Sequence, residues 1–104
     1  MFARTLSVQL QPNKFAEFTK AVETNILPLL RKQQGFRDEL ILFAPDNVDV
    51  LAISLWDSKE SADRYSRETY PQVLKTLARV IEGTPQVRNY EVAFSTAHKT
   101  VAAN

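Results

Sequence analysis

The chain has 104 residues, of which 44% are hydrophobic and 24% are charged, with 13 basic side chains, 12 acidic side chains and no cysteine. A chain of this size and composition is typical of one globular domain, so we expect a single domain over residues 1–104 whose core needs no covalent staple. The nearly balanced charge argues against binding to nucleic acid or to an anionic membrane, and the missing cysteines exclude disulfides and thiolate chemistry.

Residue counts exclude several further kinds of site. A single histidine and no cysteine make a zinc site unexpected, so we predict no metal. Two glycines, Gly35 and Gly83, cannot form a glycine-rich loop for phosphates or dinucleotides. The sequence shows neither a signal-peptide pattern nor an apolar run of about 20 residues, and we therefore expect a cytoplasmic protein without a membrane span.

The first segment alternates between apolar and polar side chains, which predicts a half-buried strand. Its apolar face carries Phe2, Arg4, Leu6, Val8 and Leu10. Arg4 is the exception on that face, because a charge there must reach the rim, pair with an opposite charge or line a cavity. Since Arg4 lies at the beginning of the strand, the rim is the favoured interpretation.

A helix is predicted next, between a turn at Gln11–Lys14 and a stop at Gly35. Apolar residues recur there at the three- and four-residue spacings of an amphipathic helix, namely Phe15, Phe18, Val22, Ile26 and Leu29. Pro28 lies inside this pattern, so we expect the helix to kink or to lose its regular geometry at that point.

Residues 36–44 and 48–56 predict an antiparallel hairpin around a turn at Pro45–Asn47. Both runs are apolar on both faces, whereas a sheet of about four strands with helices on one side should have one solvent-exposed, polar face. The second face therefore needs another cover, and in so short a chain we expect a second copy to supply it. The sequence thus predicts a homodimer that associates through the sheet face.

A second helical segment is predicted to begin at the N-cap Ser58, to break before Pro71 and to end at Gly83. A last strand follows, and alternation predicts that one set of its residues faces the helices: Arg88, Tyr90, Val92 and Phe94. The tail beyond about residue 97 is small and polar, and we expect it to be flexible or to lie on a partner. The order of elements predicts an α+β fold, a ferredoxin-like β-α-β-β-α-β sandwich with an antiparallel sheet.

Four segments of the chain together resemble the antibiotic biosynthesis monooxygenase-like family, within the dimeric α+β barrel superfamily. These segments are Gln11–Lys14, Gly35–Phe36, Leu55–Glu60 and Val87–Val92. The resemblance covers nearly the whole chain and implies a dimeric α+β barrel with a pocket in each protomer between sheet and helices. Known members oxidise aromatic polyketides or open haem without a conventional prosthetic group, so the resemblance also implies that no cofactor is needed.

The resemblance implies a cofactor-independent monooxygenase acting on a small aromatic or quinonoid compound. In that chemistry dioxygen is the oxidant, and the protein stabilises the anion of the substrate. Haem opening is disfavoured because Leu6, Tyr65 and Lys75 stand where haem-opening members have other residues. A non-catalytic dimeric small-molecule-binding or stress-related protein of the same fold is an equal alternative, and no catalytic residue is assigned.

Two aromatic residues are candidates for binding a ring-shaped ligand. Trp56 corresponds to the family tryptophan at the end of the third strand, although Ala52 stands where those members have an asparagine. A large ring at a strand end is more often a packing residue, so core packing is the favoured interpretation of Trp56. Tyr65 is the phenol best placed to line a pocket, and its alternative is a half-buried ring whose hydroxyl reaches water.

Three further residues could contribute charge. Arg88 on the last strand and Arg4 on the first are expected to lie near one pocket mouth, where two guanidinium groups could hold an anionic substrate. His98 is the one side chain expected to titrate near neutral pH. A lone histidine in a polar tail is usually inert, and His98 would reach a pocket if the tail packs on the partner subunit.

Overall fold

The computed structural model describes residues 1–99, so residues 100–104, which include most of the predicted tail, lie outside the described part. The strands are β1 (Phe2–Leu10), β2 (Phe36–Phe43), β3 (Asp49–Trp56) and β4 (Ile81–Glu91). The helices are α1 (Phe15–Ala21), a π-helical turn (Val22–Ile26), α2 (Leu27–Arg31), α3 (Lys59–Glu68) and α4 (Tyr70–Leu77). Neighbouring strands are antiparallel in the order β2-β3-β1-β4, which confirms the predicted ferredoxin-like α+β fold.

Strand β1 lies inside the sheet between β3 and β4 and buries the face that its alternation predicts. Residues that face each other across antiparallel strands share a face of the sheet, so the register fixes which side chains lie under the helices. Val8 pairs with Val50, Leu6 with Ala52 and Arg4 with Ser54. We call this helix-covered side the inner face and the opposite side, which carries Ala3 and Thr5, the outer face.

The first helical segment changes its winding where proline interrupts the pattern. The π-helical turn ends at Ile26, two residues before Pro28, which lies in the first turn of α2 and has no N–H to donate. The buried residues follow a four-residue step through the turn: Phe18, Val22, Ile26 and Leu30. The predicted stripe is thus correct from Phe18 to Ile26, whereas Phe15 at its start is 37% exposed and Leu30 rather than Leu29 is fully buried at its end.

Strands β2 and β3 form the predicted hairpin, and its turn is held by Asp46. The Asp46 carboxylate accepts hydrogen bonds from the backbone N–H groups of Val48 and Asp49, at 2.8 and 3.1 Å. Asn47 adopts a positive φ of 57°, a conformation that asparagine tolerates better than most residues. The turn chemistry read from the sequence is confirmed.

The second helical segment begins and breaks as predicted, but it ends earlier. The Ser58 hydroxyl caps α3 by accepting a hydrogen bond from the Ser61 N–H, and the break falls at Thr69 between α3 and α4. Helix α4 ends at Leu77, so the prediction that it continues to Gly83 is wrong. Residues 81–85 instead belong to β4.

Strand β4 contains a β-bulge, and a second prediction about this strand is wrong. Gln9 pairs with Glu82 and Ser7 pairs with Gln86, so three residues of β4 lie opposite Val8. Gly83, with a φ of 73°, lies in this bulge. Beyond the bulge, Arg88 pairs with Thr5 and Tyr90 with Ala3, and both are therefore on the outer face. The prediction that Arg88 and Tyr90 face the helices is wrong.

The last strand ends before the last of the residues predicted for it. Strand β4 stops at Glu91, and Phe94, also predicted to face the helices, is 94% exposed. Within residues 1–99, no helix is both long and apolar enough to cross a membrane.

Candidate functional site

A cavity of about 40 Å³ lies between the inner face of the sheet and the helices. Most of its wall is apolar, contributed by Leu6, Val8, Phe18, Val22, Ile26, Leu30, Ile41, Val50, Ala52, Val73 and Leu77. Four polar side chains line the same cavity: Arg4, Glu39, Ser54 and Tyr65. We call these four residues the polar end. A volume of this size holds about three water molecules, so the cavity is small compared with most ligand pockets.

Arg4 lies inside the protein, and the predicted position at the rim is wrong. Its residue is 5% exposed, and its Nε donates a hydrogen bond of 2.7 Å to the Ser66 hydroxyl at the end of α3. The guanidinium carbon lies 4.1 Å from the ring centre of Tyr70 and 5.2 Å from that of Tyr65. Cation–π contacts of this kind stabilise a desolvated guanidinium, which explains how a charge is retained on an apolar strand face.

Glu39 belongs to the polar end but was not predicted from the sequence. It lies on β2 opposite Ser54 and is half-buried. Burial raises the pKa of its carboxyl group to about 8; the Arg4 charge lowers this pKa and the neighbouring Asp38 charge raises it. Its alternation with Ile41 and Phe43 on the inner face was the available signal, since an acid in that phase must be paired or exposed to a cavity.

Ser54 connects the polar end to the buried tryptophan behind it. The Trp56 Nε1 donates to the Ser54 hydroxyl at 2.9 Å, and that hydroxyl donates to the Arg4 carbonyl oxygen at 3.2 Å. Trp56 is fully buried between the rings of Phe36 and Tyr65, with ring centres 5.6 and 5.0 Å away. Trp56 therefore packs behind the cavity and is not among the residues that line it.

Tyr65 lines the cavity, as its position on α3 suggested, and is 5% exposed. Burial raises the pKa of its hydroxyl well above the ordinary value, and it raises the pKa of Tyr70 as well. Arg4 lowers both pKa values, but less than burial raises them. At neutral pH the Tyr65 hydroxyl is therefore protonated and available as a hydrogen-bond donor.

The structure does not bring Arg88 or His98 to this cavity. Arg88 is exposed on the outer face, with its guanidinium carbon 5.9 Å from the ring centre of Tyr90. The expected pairing of Arg88 with Arg4 at one pocket mouth is wrong, because Arg88 pairs with Thr5 and therefore lies on the other side of the sheet. The tail turns back over its own sheet, where the His98 Nε2 lies 2.9 Å from an Asp38 carboxylate oxygen.

Two other observations limit the choice of site. Over residues 1–99, no three histidine, aspartate or glutamate side chains are grouped closely enough to hold a metal ion. A groove of about 500 Å³ runs between α1 and α4, but mostly exposed residues line it. The cavity with its polar end is therefore the best candidate site in the described part of the chain.

Solved structures with a similar fold were found, although no family model and no curated protein matched. Among solved structures, a candidate antibiotic biosynthesis monooxygenase from Bordetella bronchiseptica matches with a TM-score of 0.76 and 16% identity, covering 89% of this chain and 97% of that one. The cofactor-independent oxygenase SnoaB from Streptomyces nogalater matches with a TM-score of 0.75 and 15% identity, covering 93% and 97%.

A third structure carries a bound ligand. The ActVA-Orf6 monooxygenase of Streptomyces coelicolor, solved with nanaomycin D, matches with a TM-score of 0.75 and 13% identity, over 90% of this chain and 88% of that one. At such low identities the similarity concerns the fold, which agrees with the resemblance seen in the sequence. The chain therefore has the fold of the antibiotic biosynthesis monooxygenase-like proteins.

Proposed function

We propose that this protein is a cofactor-independent monooxygenase acting on a small aromatic or quinonoid compound, a single-ring hydroquinone being the simplest case. The observation that carries the proposal is the buried Arg4 guanidinium at the polar end of the cavity. SnoaB and ActVA-Orf6, oxygenases of the same fold, support it by analogy.

The proposed chemistry needs an electron-rich anion and dioxygen. A hydroquinone and one dioxygen give a hydroxyquinone and one water. One oxygen atom is thus added to a ring carbon as a hydroxyl group, and the other is released as water. The substrate supplies all the electrons, and the protein has to stabilise the negative charge on the substrate oxygen. Arg4 supplies the positive charge and the Tyr65 hydroxyl supplies a hydrogen bond, in a cavity whose wall is otherwise mostly apolar.

The cavity volume sets a condition on this proposal. A benzene ring occupies an engineered cavity of about 150 Å³, several times the roughly 40 Å³ observed here. Binding of a ring therefore requires that apolar wall residues such as Phe18 and Leu77 move outward. The alternative function, a non-catalytic dimeric small-molecule-binding or stress-related protein, is favoured by this small volume.

Oxygen uptake separates the two candidates. Hydroquinones and anthrones are incubated with the protein under air, and we expect uptake above the buffer rate for at least one compound. Arg4→Gln should lower that rate about 100-fold, the effect typical of losing one group that stabilises a developing anion. Arg67→Gln removes a guanidinium whose side chain is 68% exposed and should change nothing. Arg88→Gln should behave like this control.

Two results would decide against the oxygenase. If no compound in the panel gives uptake above the buffer rate, the non-catalytic alternative is preferred. If Arg4→Gln folds, as judged by circular dichroism, and keeps the wild-type rate, then the polar end is not where the substrate anion is stabilised.

We also propose that the protein is a homodimer associated through the outer face. Leu40, Leu42 and Leu51 are exposed there by 41%, 47% and 37%, and Leu42 lies opposite Leu51 in the register. Adjacent exposed leucines on one sheet face form the kind of apolar patch that a partner covers. A second copy of the chain carries the same apolar patch, and a two-fold axis would place the two patches against each other.

Light scattering at micromolar concentration tests this association. We expect the wild type to have twice the mass of the chain and Leu42→Glu to have the mass of one chain. Val87→Glu is the matched control, because Val87 is 41% exposed but shares the face of Leu6 on the other side of the sheet. A monomeric wild-type protein, or a dimer that is lost equally in both variants, would count against the outer face.

A further inference from the structure

The Arg4 guanidinium is buried without a carboxylate partner. Within residues 1–99, no ion pair of 4.0 Å or less involves Arg4, although Glu39 lines the same cavity. Ser66 takes the hydrogen bond from Nε, and Tyr70 stacks on the guanidinium. A buried charge without an ionic partner is costly, so an anion that entered the cavity would gain more there than at a surface arginine.

We propose that the polar end is a binding site for a small monocarboxylate, formate or acetate in size, which accepts hydrogen bonds from the Arg4 guanidinium and from a protonated Glu39. The site is emptied when Glu39 ionises, because the Glu39 carboxylate then takes the place of the ligand as the counter-charge of Arg4. The inference is independent of oxygenase activity and needs no movement of the apolar wall.

The volume of the cavity fits this class of ligand. Space for about three water molecules corresponds to a ligand of three or four non-hydrogen atoms, which describes formate and acetate. The chemistry of the lining fits as well, because a guanidinium binds a carboxylate through two parallel N–H groups. Tyr65 and Ser54 supply further hydroxyl groups, and the remaining wall is apolar, as a methyl group requires.

The groups that surround Glu39 decide whether it is protonated. Arg4 faces it from β1 and favours the ionised form, whereas Asp38 beside it on β2 favours the protonated form. The Tyr65 hydroxyl on α3 is uncharged in this pH range, because burial raises its pKa well above the ordinary value. Strand β3 presents Ser54, which does not titrate in this range, and the first helical segment presents apolar residues to the cavity. Burial is the largest influence and raises the pKa of Glu39 to about 8.

This places the expected switch between pH 7 and pH 9. Glu39 is about 90% protonated at pH 7 and about 10% protonated at pH 9, while acetate is ionised at both values. If binding requires the protonated form, the apparent dissociation constant for acetate rises about tenfold over that interval. Glu39→Gln preserves the size of the side chain and fixes it in a neutral, hydrogen-donating form, so its affinity should be the same at both pH values.

The test is a titration of the isotopically labelled protein with sodium acetate at constant ionic strength, at pH 7 and pH 9. The Arg4 Nε–H signal is followed by NMR, because that group is held by Ser66 inside the site. We expect a saturable shift whose dissociation constant rises about tenfold at pH 9 in the wild type and stays constant in Glu39→Gln. Glu60→Gln makes the same chemical change at an exposed position and should keep the tenfold rise.

The outcomes that overturn the proposal are distinct from failure of the oxygenase. If acetate causes no saturable shift of the Arg4 signal at pH 7, the proposed site does not exist. If the acetate affinity of Glu39→Gln still falls at pH 9, Glu39 does not control binding. A wild-type affinity that is equal at both pH values has the same consequence. A protein that shows these acetate effects but no oxygen uptake retains this inference while losing the proposed reaction.

Discussion

Replacing Gly35 with alanine should destabilise the protein much more than the same change at Gly83. Gly35 connects α2 to β2 with a φ of 84°, and its carbonyl oxygen accepts a 2.8 Å hydrogen bond from the Asp57 N–H. A Cβ atom at Gly35 would clash with the Ser61 hydroxyl and the Asp57 carboxylate. The left-handed conformation costs alanine about 1–2 kcal/mol, and overpacking adds about 1–3 kcal/mol, so we expect a loss of about 2–5 kcal/mol.

Gly83 is the internal control for this reasoning. It has a similar φ of 73°, but a Cβ atom there would meet nothing within 4 Å, so Gly83→Ala should cost about 1–2 kcal/mol from the backbone alone. Urea unfolding of both variants measures the difference between their free energies of unfolding. Both are measured at the same protein concentration, because association would otherwise shift the apparent stability. In thermal unfolding, we expect the melting temperatures of the two variants to differ by about 10 °C. Equal losses for the two variants would refute the argument that Ser61 and Asp57 fill the space beside Gly35.

Three further predictions concern single side chains. Ser58→Ala should lower the free energy of unfolding by about 1 kcal/mol in urea, because it removes the hydrogen bond that caps α3, and Ser58→Asp should restore it. Trp56→Phe should cost about 2 kcal/mol, since it leaves a void and removes the bond to Ser54, yet leave acetate binding unchanged. Glu39→Gln should match the wild type near pH 4.5 but exceed it by about 3 kcal/mol at pH 9, as followed by urea unfolding; an equal pH dependence in both proteins would contradict the raised pKa of Glu39.

The sign of the Glu39 effect follows from the direction of its pKa shift. Burial raises the pKa in the folded protein from its ordinary value of 4.5 to about 8, so the unfolded chain releases the proton first. The wild type therefore loses stability as the pH rises from about 4.5 to about 8. The full shift corresponds to at most about 5 kcal/mol, and access of solvent to the half-buried carboxyl reduces this to the roughly 3 kcal/mol expected.

The parts of the fold that were predictable are those fixed by short-range pattern. Strict alternation placed β1 correctly, and the turn residues around Asp46 correctly placed the turn of the hairpin. Strand β4 was misplaced because apolar residues at 77, 80 and 81 fit a helical stripe as well as they fit a helix end followed by a strand. The bulge at Gly83 depends on pairing with β1, a contact between distant segments that local pattern does not contain.

The candidate site was less predictable for the same reason. Arg4 was recognisable as an anomaly, but whether it reached the rim depended on what the helices placed above it. Glu39 was hidden because Leu40 and Leu42 made β2 look apolar on both faces. The phase of that strand became visible once its pairing with β3 set Glu39 opposite Ser54. The polar end is therefore a product of strand register.

The helix break at Thr69 explains why the buried arginine is stable where it lies. Pro71 disfavours continuous helix through the preceding residues, so α3 ends with Tyr65 and Ser66 in its last turns and α4 begins at Tyr70. These three residues are the ones that contact the Arg4 guanidinium. An uninterrupted helix would carry position 70 more than a full turn beyond position 65 along one axis, and the two rings could not both approach the same cation. A local backbone rule near Pro71 thus makes the long-range site on β1 possible, and whatever anion enters the cavity meets a cation already held in place.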